Sequence, residues 1–182
     1  MPTLSCRDPV RAAAEDAALL CAALALSYIE SLLPLGALAV IPGAKLGLSH
    51  LAVLTAAHRG TMRDAAAVSL VRTVLCALLF GSVSSLLFSV SGAVCALLVL
   101  AVCRRFCTSL SYIGVSVLSA AAHNAGQLLC AVLVLHTGRL FLYFPVLLVF
   151  AALAGAAVGW IMNRVACRLP RRGAEKGAAY AP

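Results

Sequence analysis

Apolar residues fill this chain in blocks of about 20 rather than in stripes of helical period. Six such blocks stand out, near residues 14–34, 40–58, 65–81, 83–103, 111–135 and 140–162. An α-helix of that length matches the hydrocarbon thickness of a bilayer. Lipid offers the backbone no partners, so a span must satisfy its own N–H and C=O groups, which leaves the helix or the closed barrel. A barrel would read as short alternating segments, and none occurs here. The pattern therefore predicts an all-α polytopic membrane protein, a six-transmembrane-helix bundle. Turn residues mark several of the boundaries: Pro34 and Gly36, Arg59-Gly60, Gly81-Ser82, and Thr137-Gly138. The second block is the weakest. It contains Pro42-Gly43 and Lys45, and its cleanly apolar part, Leu46–Ala57, is too short to cross alone. A loop dipping back over the helices accounts for it, since broken backbone is tolerated at membrane depth where it lines a protein cavity.

Composition strengthens this reading. The 182 residues are 63% hydrophobic and 11% charged, with a mean hydropathy of +1.05; a soluble domain carries about 25% charged residues. The net charge of +8 is unevenly placed. Eleven of the 14 Lys and Arg residues fall on one side of the predicted bundle: Arg7 and Arg11, Arg59 and Arg63, Arg104 and Arg105, then Arg164, Arg168, Arg171, Arg172 and Lys176. Lys45 and Arg139 fall on the other, and Arg72 lies within a span. The positive-inside rule then places both termini in the cytoplasm of a protein of the cytoplasmic membrane. Residues 1–13 form a cytoplasmic N-terminus, 14–163 the membrane domain and 164–182 a basic flexible tail that can touch anionic lipid. The basic inner face explains the charge without nucleic acid. Ala37-Leu38-Ala39 resembles a signal cleavage site, but Glu30 interrupts the approach and Asp8, Glu15 and Asp16 precede it, so the first block reads as a retained span. The eight cysteines contain no CxxC, and Cys103 and Cys107 are the closest pair. They read as small hydrophobes, with palmitoylation open to those near the interface and no metal implied.

Ionisable groups within spans are costly and usually face the interior of a bundle. Glu30 lies in the outer half of the first block, flanked by Ser27 and Ser31. Arg72 lies near the middle of the third and shares a helical face with Ser69, Thr73 and Cys76. His123, Asn124 and Gln127 lie in the fifth, inside "AHNAGQ", at spacings that project all three into one sector. Ala121, Ala122, Ala125 and Gly126 beside them let another helix approach closely. Two readings stand side by side for these groups. They glue helices together, with Glu30 pairing Arg72, or they line a ligand cavity with Lys45 at its mouth. His50 and His58 read as interfacial residues. Catalytic motifs are missing from the sequence: no Gly-rich phosphate loop, no Asp-rich diphosphate motif and no HExxH. "FSVSGAV" lacks the flanking residues of a covalent flavin site.

The stretches "ALALSYIESLLP", "PGAKLGLSHLAVL", "SLVRTVLCALLFGS" and "IGVSVLSAAAHNAGQLL" together resemble the heptaprenyl diphosphate synthase component I family, also called the Gx transporter family, over residues 20–162. That family is similar to the substrate-binding S components of energy-coupling-factor (ECF) vitamin transporters. The resemblance implies six helices, both termini inside and a cavity opening outward beneath the first loop. Its motif residues fall on Glu30, Pro42, Gly43, Lys45, Gly47, Arg72, Gly81, His123, Asn124, Gly126 and Gln127. His50 departs from the Asn usual in the family. The resemblance also implies a small-residue face on the first helix that docks a membrane coupling subunit, supplied here by Ala14, Ala18 and Ala22. The function expected is binding of a small, anionic solute by Glu30, Lys45, Arg72, His123, Asn124 and Gln127, with transport energised by partner ATPases and no cofactor in this chain. The family's name implies instead an accessory subunit of a polyprenyl diphosphate synthase, although only Asp8, Asp16 and Asp64 occur and they are scattered. Some relatives imply a third role, in flavin- and quinone-linked extracellular electron transfer.

Overall fold

The computed structural model describes residues 9–32, 47–107 and 109–169. These form helices α1 (Pro9–Leu32), α2 (His50–Arg59), α3 (Met62–Phe80), α4 (Val83–Phe106), α5 (Tyr112–Leu135) and α6 (Phe144–Ala166), with a 3-10 segment, Gly138–Tyr143, leading into α6. No strand occurs among the described residues. Local chemistry sets the helix starts. Thr61 and Asp64 form a reciprocal capping box at α3, and the hydroxyls of Ser82 and Ser111 accept from backbone N–H groups in the first turns of α4 and α5. Pro145 opens α6, where its missing N–H would have no helical partner anyway.

Among the described residues, four segments are long and apolar enough to cross a membrane, not six: Val10–Leu32, Val83–Phe106, Tyr112–Leu135 and Gly138–Ala166. The chain is a multi-pass membrane protein. The two remaining predicted spans fail for different reasons. α2 has ten residues, about 15 Å of helix, or half a hydrocarbon core. Its apolar side chains are sheltered by protein instead: all of Ala52, Val53, Leu54, Thr55, Ala56 and Ala57 are buried. α3 has the length but carries Arg63, Asp64 and Arg72 within 19 residues. It holds its place by packing against α1, α2 and α4. The expectations that fell on Pro34, Gly36, Ala37–Ala39, Pro42, Gly43, Lys45 and the tail beyond Leu169 lie outside the described residues.

Many small residues sit inside the bundle, while many large apolar ones face outward. Ala23, Ala65, Ala93, Ala96 and Ala151 are buried, whereas Leu78, Leu98, Leu133, Leu153 and Trp160 are exposed. Water would not favour that arrangement, but lipid is as apolar as leucine, so helices associate through close approach of small side chains. α5 packs against both α4 and α6. A Cβ at Gly126 would stand 2.7 Å from the Cys95 sulfur, and one at Gly155 or Gly159 would stand 2.7 Å or 2.5 Å from the Cα of Val117 or Ile113. α2 is wedged against α1, α3 and α6. Its Val53 and Leu54 share a core with Leu100, Val115, Val158 and Met162.

The arginines gather at one end of the bundle. Arg59, closing α2, pairs with Glu15 at 2.6 Å, and Arg11 lies 3.4 Å from the same carboxylate. Arg104 donates to the carbonyls of Ala57 at 2.6 Å and Gly60 at 3.2 Å, completing the C-terminus of α2. His58 makes a tertiary tie. Its Nε2 lies 3.2 Å from the Leu169 carbonyl, so this nitrogen donates and Nδ1 accepts from the Tyr112 hydroxyl at 2.5 Å.

Candidate functional site

Gly47 has φ +69°, a left-handed conformation that glycine adopts without steric cost. The turn it makes, closed by the His50 N–H on the Gly47 carbonyl at 2.9 Å, aims three groups at one place. The Leu48 N–H donates to the Glu30 carboxylate. The Ser49 hydroxyl accepts from Arg72 Nη1 at 2.6 Å. His50 lines the same cavity. Gly47→Ala is expected to destabilise the protein by about 1–2 kcal/mol, although a Cβ there meets nothing within 4 Å. Gly47→Asn, which tolerates this conformation, should lose less. Thermal unfolding of the two variants checks the order, and equal losses would remove the backbone explanation.

The cavity has a volume of about 170 Å³ and lies in the half of the bundle away from the clustered arginines. Five of the six residues expected from sequence to bind ligand line it: Glu30 from α1, Arg72 from α3, and His123, Asn124 and Gln127 from α5. The sixth, Lys45, lies outside the described residues. Glu30 is 7% exposed. Arg72 Nη1 also donates to Ser27 at 3.3 Å, so hydroxyls from α1 and the start of α2 fix the guanidinium. His50 lies within Coulombic reach of both Arg72 and His123. A charge removed from water costs several kcal/mol unless hydrogen bonds replace its hydration, and Glu30 and Arg72 draw theirs from Leu48 and from Ser27 and Ser49. Both line the same cavity wall.

The three polar residues of "AHNAGQ" divide between the two readings made of them. Asn124 Nδ2 donates to the Leu147 carbonyl at 3.0 Å, tying α5 to α6 while also lining the cavity. His123 and Gln127 lean over Gly92 of α4, where a Cβ would stand 2.9 Å and 2.7 Å from their side chains. Without that glycine neither could keep its place. Sequence reasoning missed Ser49, Ser85, Ser89 and Ser116, which also line the cavity. Ser85 and Ser89 are four apart and Gly92 three further on, so a polar face at helical spacing was present in "SSLLFSVSG". Serine escapes notice in an apolar helix because it can return its hydroxyl to the preceding turn, as Ser91 does to Phe88.

Ala14, Ala18 and Ala22 stand elsewhere, on the exposed outer face of α1. Among the described residues no three His, Cys, Asp or Glu side chains are placed to hold a metal ion. The cavity offers one guanidinium, one carboxylate, two imidazoles, amides and several hydroxyls, which suits recognition of a polar solute. Comparison with curated proteins and with solved structures finds no match. The residues of this wall, from Ser27 to Val158, all fall within residues 19–165, which match the family described as heptaprenyl diphosphate synthase component I, and the chain belongs to that family.

Proposed function

We propose that this chain is the membrane-embedded, substrate-binding subunit of an uptake system, similar to the S components of ECF transporters, with partner subunits supplying the energy. The observation that carries this reading is convergence: Glu30, Arg72, His123, Asn124 and Gln127 come from three helices and face one cavity. Ionisable groups at membrane depth mark solute pathways more often than structural pairs. With the arginine-rich end in the cytoplasm of the inner membrane, as the positive-inside rule requires, the cavity faces the outer side, where a solute is captured. The exposed Ala14, Ala18 and Ala22 would let a helix of a membrane coupling subunit lie close against α1.

The family's description supports a second reading, a membrane accessory subunit of a polyprenyl diphosphate synthase. One experiment separates the two. The tagged chain is purified from its native membranes in gentle detergent, and the accompanying proteins are identified by mass spectrometry. The uptake reading expects a membrane coupling subunit with paired ATPases. Recovery of a soluble polyprenyl synthase subunit without those ATPases would replace it and make the cavity an isoprenoid or quinone site.

A further inference from the structure

Three buried polar atoms on the wall of the cavity have no hydrogen-bond partner among the described residues: Arg72 Nε, His50 Nε2 and Ser116 Oγ. They belong to three different helices, α3, α2 and α5. Folded proteins rarely leave such atoms unsatisfied, because each has given up its hydration without replacement. All three can donate. Arg72 Nε can only donate, and His50 Nε2 and Ser116 Oγ do so in one tautomer and one rotamer. Arg72 is held by Ser27 and Ser49 through Nη1, which fixes the direction of the Nε–H. Ser116 is wholly buried.

We infer that Arg72 Nε, His50 Nε2 and Ser116 Oγ form the seat for a carboxylate, so that the solute is a compact monocarboxylate. The inference rests on reading the cavity as a solute site. A carboxylate has two oxygens with about four lone-pair directions, enough to serve three donors arriving from three sides. A monocarboxylate adds one negative charge to a wall that already holds both the Arg72 guanidinium and the Glu30 carboxylate. A phosphate dianion would bring a second negative charge close to Glu30, which the same low dielectric makes unfavourable. The rest of the wall includes Ala120, Ala151, Ala154 and Val158, which suits an apolar body. At about 170 Å³ the space is comparable to a cavity of about 150 Å³ that holds benzene.

Benzoate, benzamide and phenylphosphonate make a matched set of probes. The full chain in lipid nanodiscs is titrated with each, and stabilisation against thermal unfolding gives an apparent affinity. Benzoate is expected to bind at least about tenfold more tightly than benzamide, since a charge-assisted seat is lost with the amide. Ser116→Ala should keep the unfolding temperature of the ligand-free protein, because the hydroxyl it removes has no partner among the described residues, yet weaken benzoate several-fold. Arg72→Lys should reduce the preference for benzoate over benzamide several-fold without abolishing it, because an ammonium keeps the charge but cannot present a fixed Nε–H. Equal binding of benzamide and benzoate, no binding of benzoate, or an unfolding temperature lowered by Ser116→Ala would each overturn the seat. Preference for phenylphosphonate would replace carboxylate by phosphate and overturn the substrate class. The copurification experiment is independent of these results: a coupling subunit recovered without benzoate binding keeps the uptake reading and removes the seat, and the reverse result keeps an anion seat in a protein of another role.

Discussion

Gly159→Ala is expected to destabilise the bundle by about 1–3 kcal/mol, and Gly155→Ala combined with it is expected to leave little folded protein in detergent. The new Cβ of residue 159 would stand 2.5 Å from the Cα of Ile113, 2.9 Å from its nitrogen and 2.9 Å from the carbonyl oxygen of Tyr112. The Cβ of residue 155 would meet the Cα of Val117 at 2.7 Å. These are backbone atoms, so no rotamer change relieves the overlap, and α5 and α6 must separate. Gly60 makes the useful contrast. A Cβ there would come within 2.3 Å of the Asp64 carboxylate, but that oxygen is the end of a side chain and can move. Gly155 and Gly159 are four residues apart, on the interface where small residues let membrane helices approach. Separation along that seam would also displace Asn124 from the Leu147 carbonyl. Size-exclusion profiles and thermal unfolding of the two single variants and the double variant measure the effect. Unfolding temperatures within error of the parent would mean that the close approach is not a source of stability.

Arg104→Met is expected to cost about 2–4 kcal/mol, from two charge-assisted hydrogen bonds to backbone carbonyls that are then left without them. α2 ends inside the protein, where the final carbonyls of a helix have no intrahelical partners. Arg104 supplies donors to Ala57 and Gly60 at once and places positive charge at the negative end of the helix dipole. Arg104→Lys keeps the charge but offers no planar fork, so it should recover only part of the loss. Protease accessibility near Arg59–Gly60 and the unfolding temperature together report the outcome. If lysine and methionine behave alike, the arginine contributes charge at the surface and nothing to the seating of α2.

The lining of the cavity was legible in the sequence because lipid makes an ionisable residue conspicuous. Glu30, Arg72 and the "AHNAGQ" cluster interrupt apolar runs, and helical spacing alone predicted that His123, Asn124 and Gln127 share a sector. The gathering of arginines was legible for the same reason. The number of spans was not. Hydropathy records how apolar a segment is, not what covers it, and α2 is apolar because protein surrounds it. α3 shows the converse, since its mid-helix charge, Arg72, engages the neighbouring helices and the cavity. Ser85, Ser89 and Ser116 were overlooked because a hydroxyl in an apolar helix costs little and has no fixed meaning until its neighbours are known. Gly155-Ala-Ala-Val-Gly159 carried a packing signal in plain view. Its importance becomes visible only when the backbone of α5 is seen against it.

The short buried helix has a mechanical consequence. At one end of α2, Ser49 and His50 belong to the cavity; at the other, Arg59 is gripped by Glu15 and the last carbonyls by Arg104. Ten residues of hydrogen-bonded helix, about 15 Å long, do not bend or compress under the forces available to side chains. Cavity and arginine-rich end are therefore joined by a single short rigid element, so the packing that seats α2 also sets where Ser49 and His50 stand.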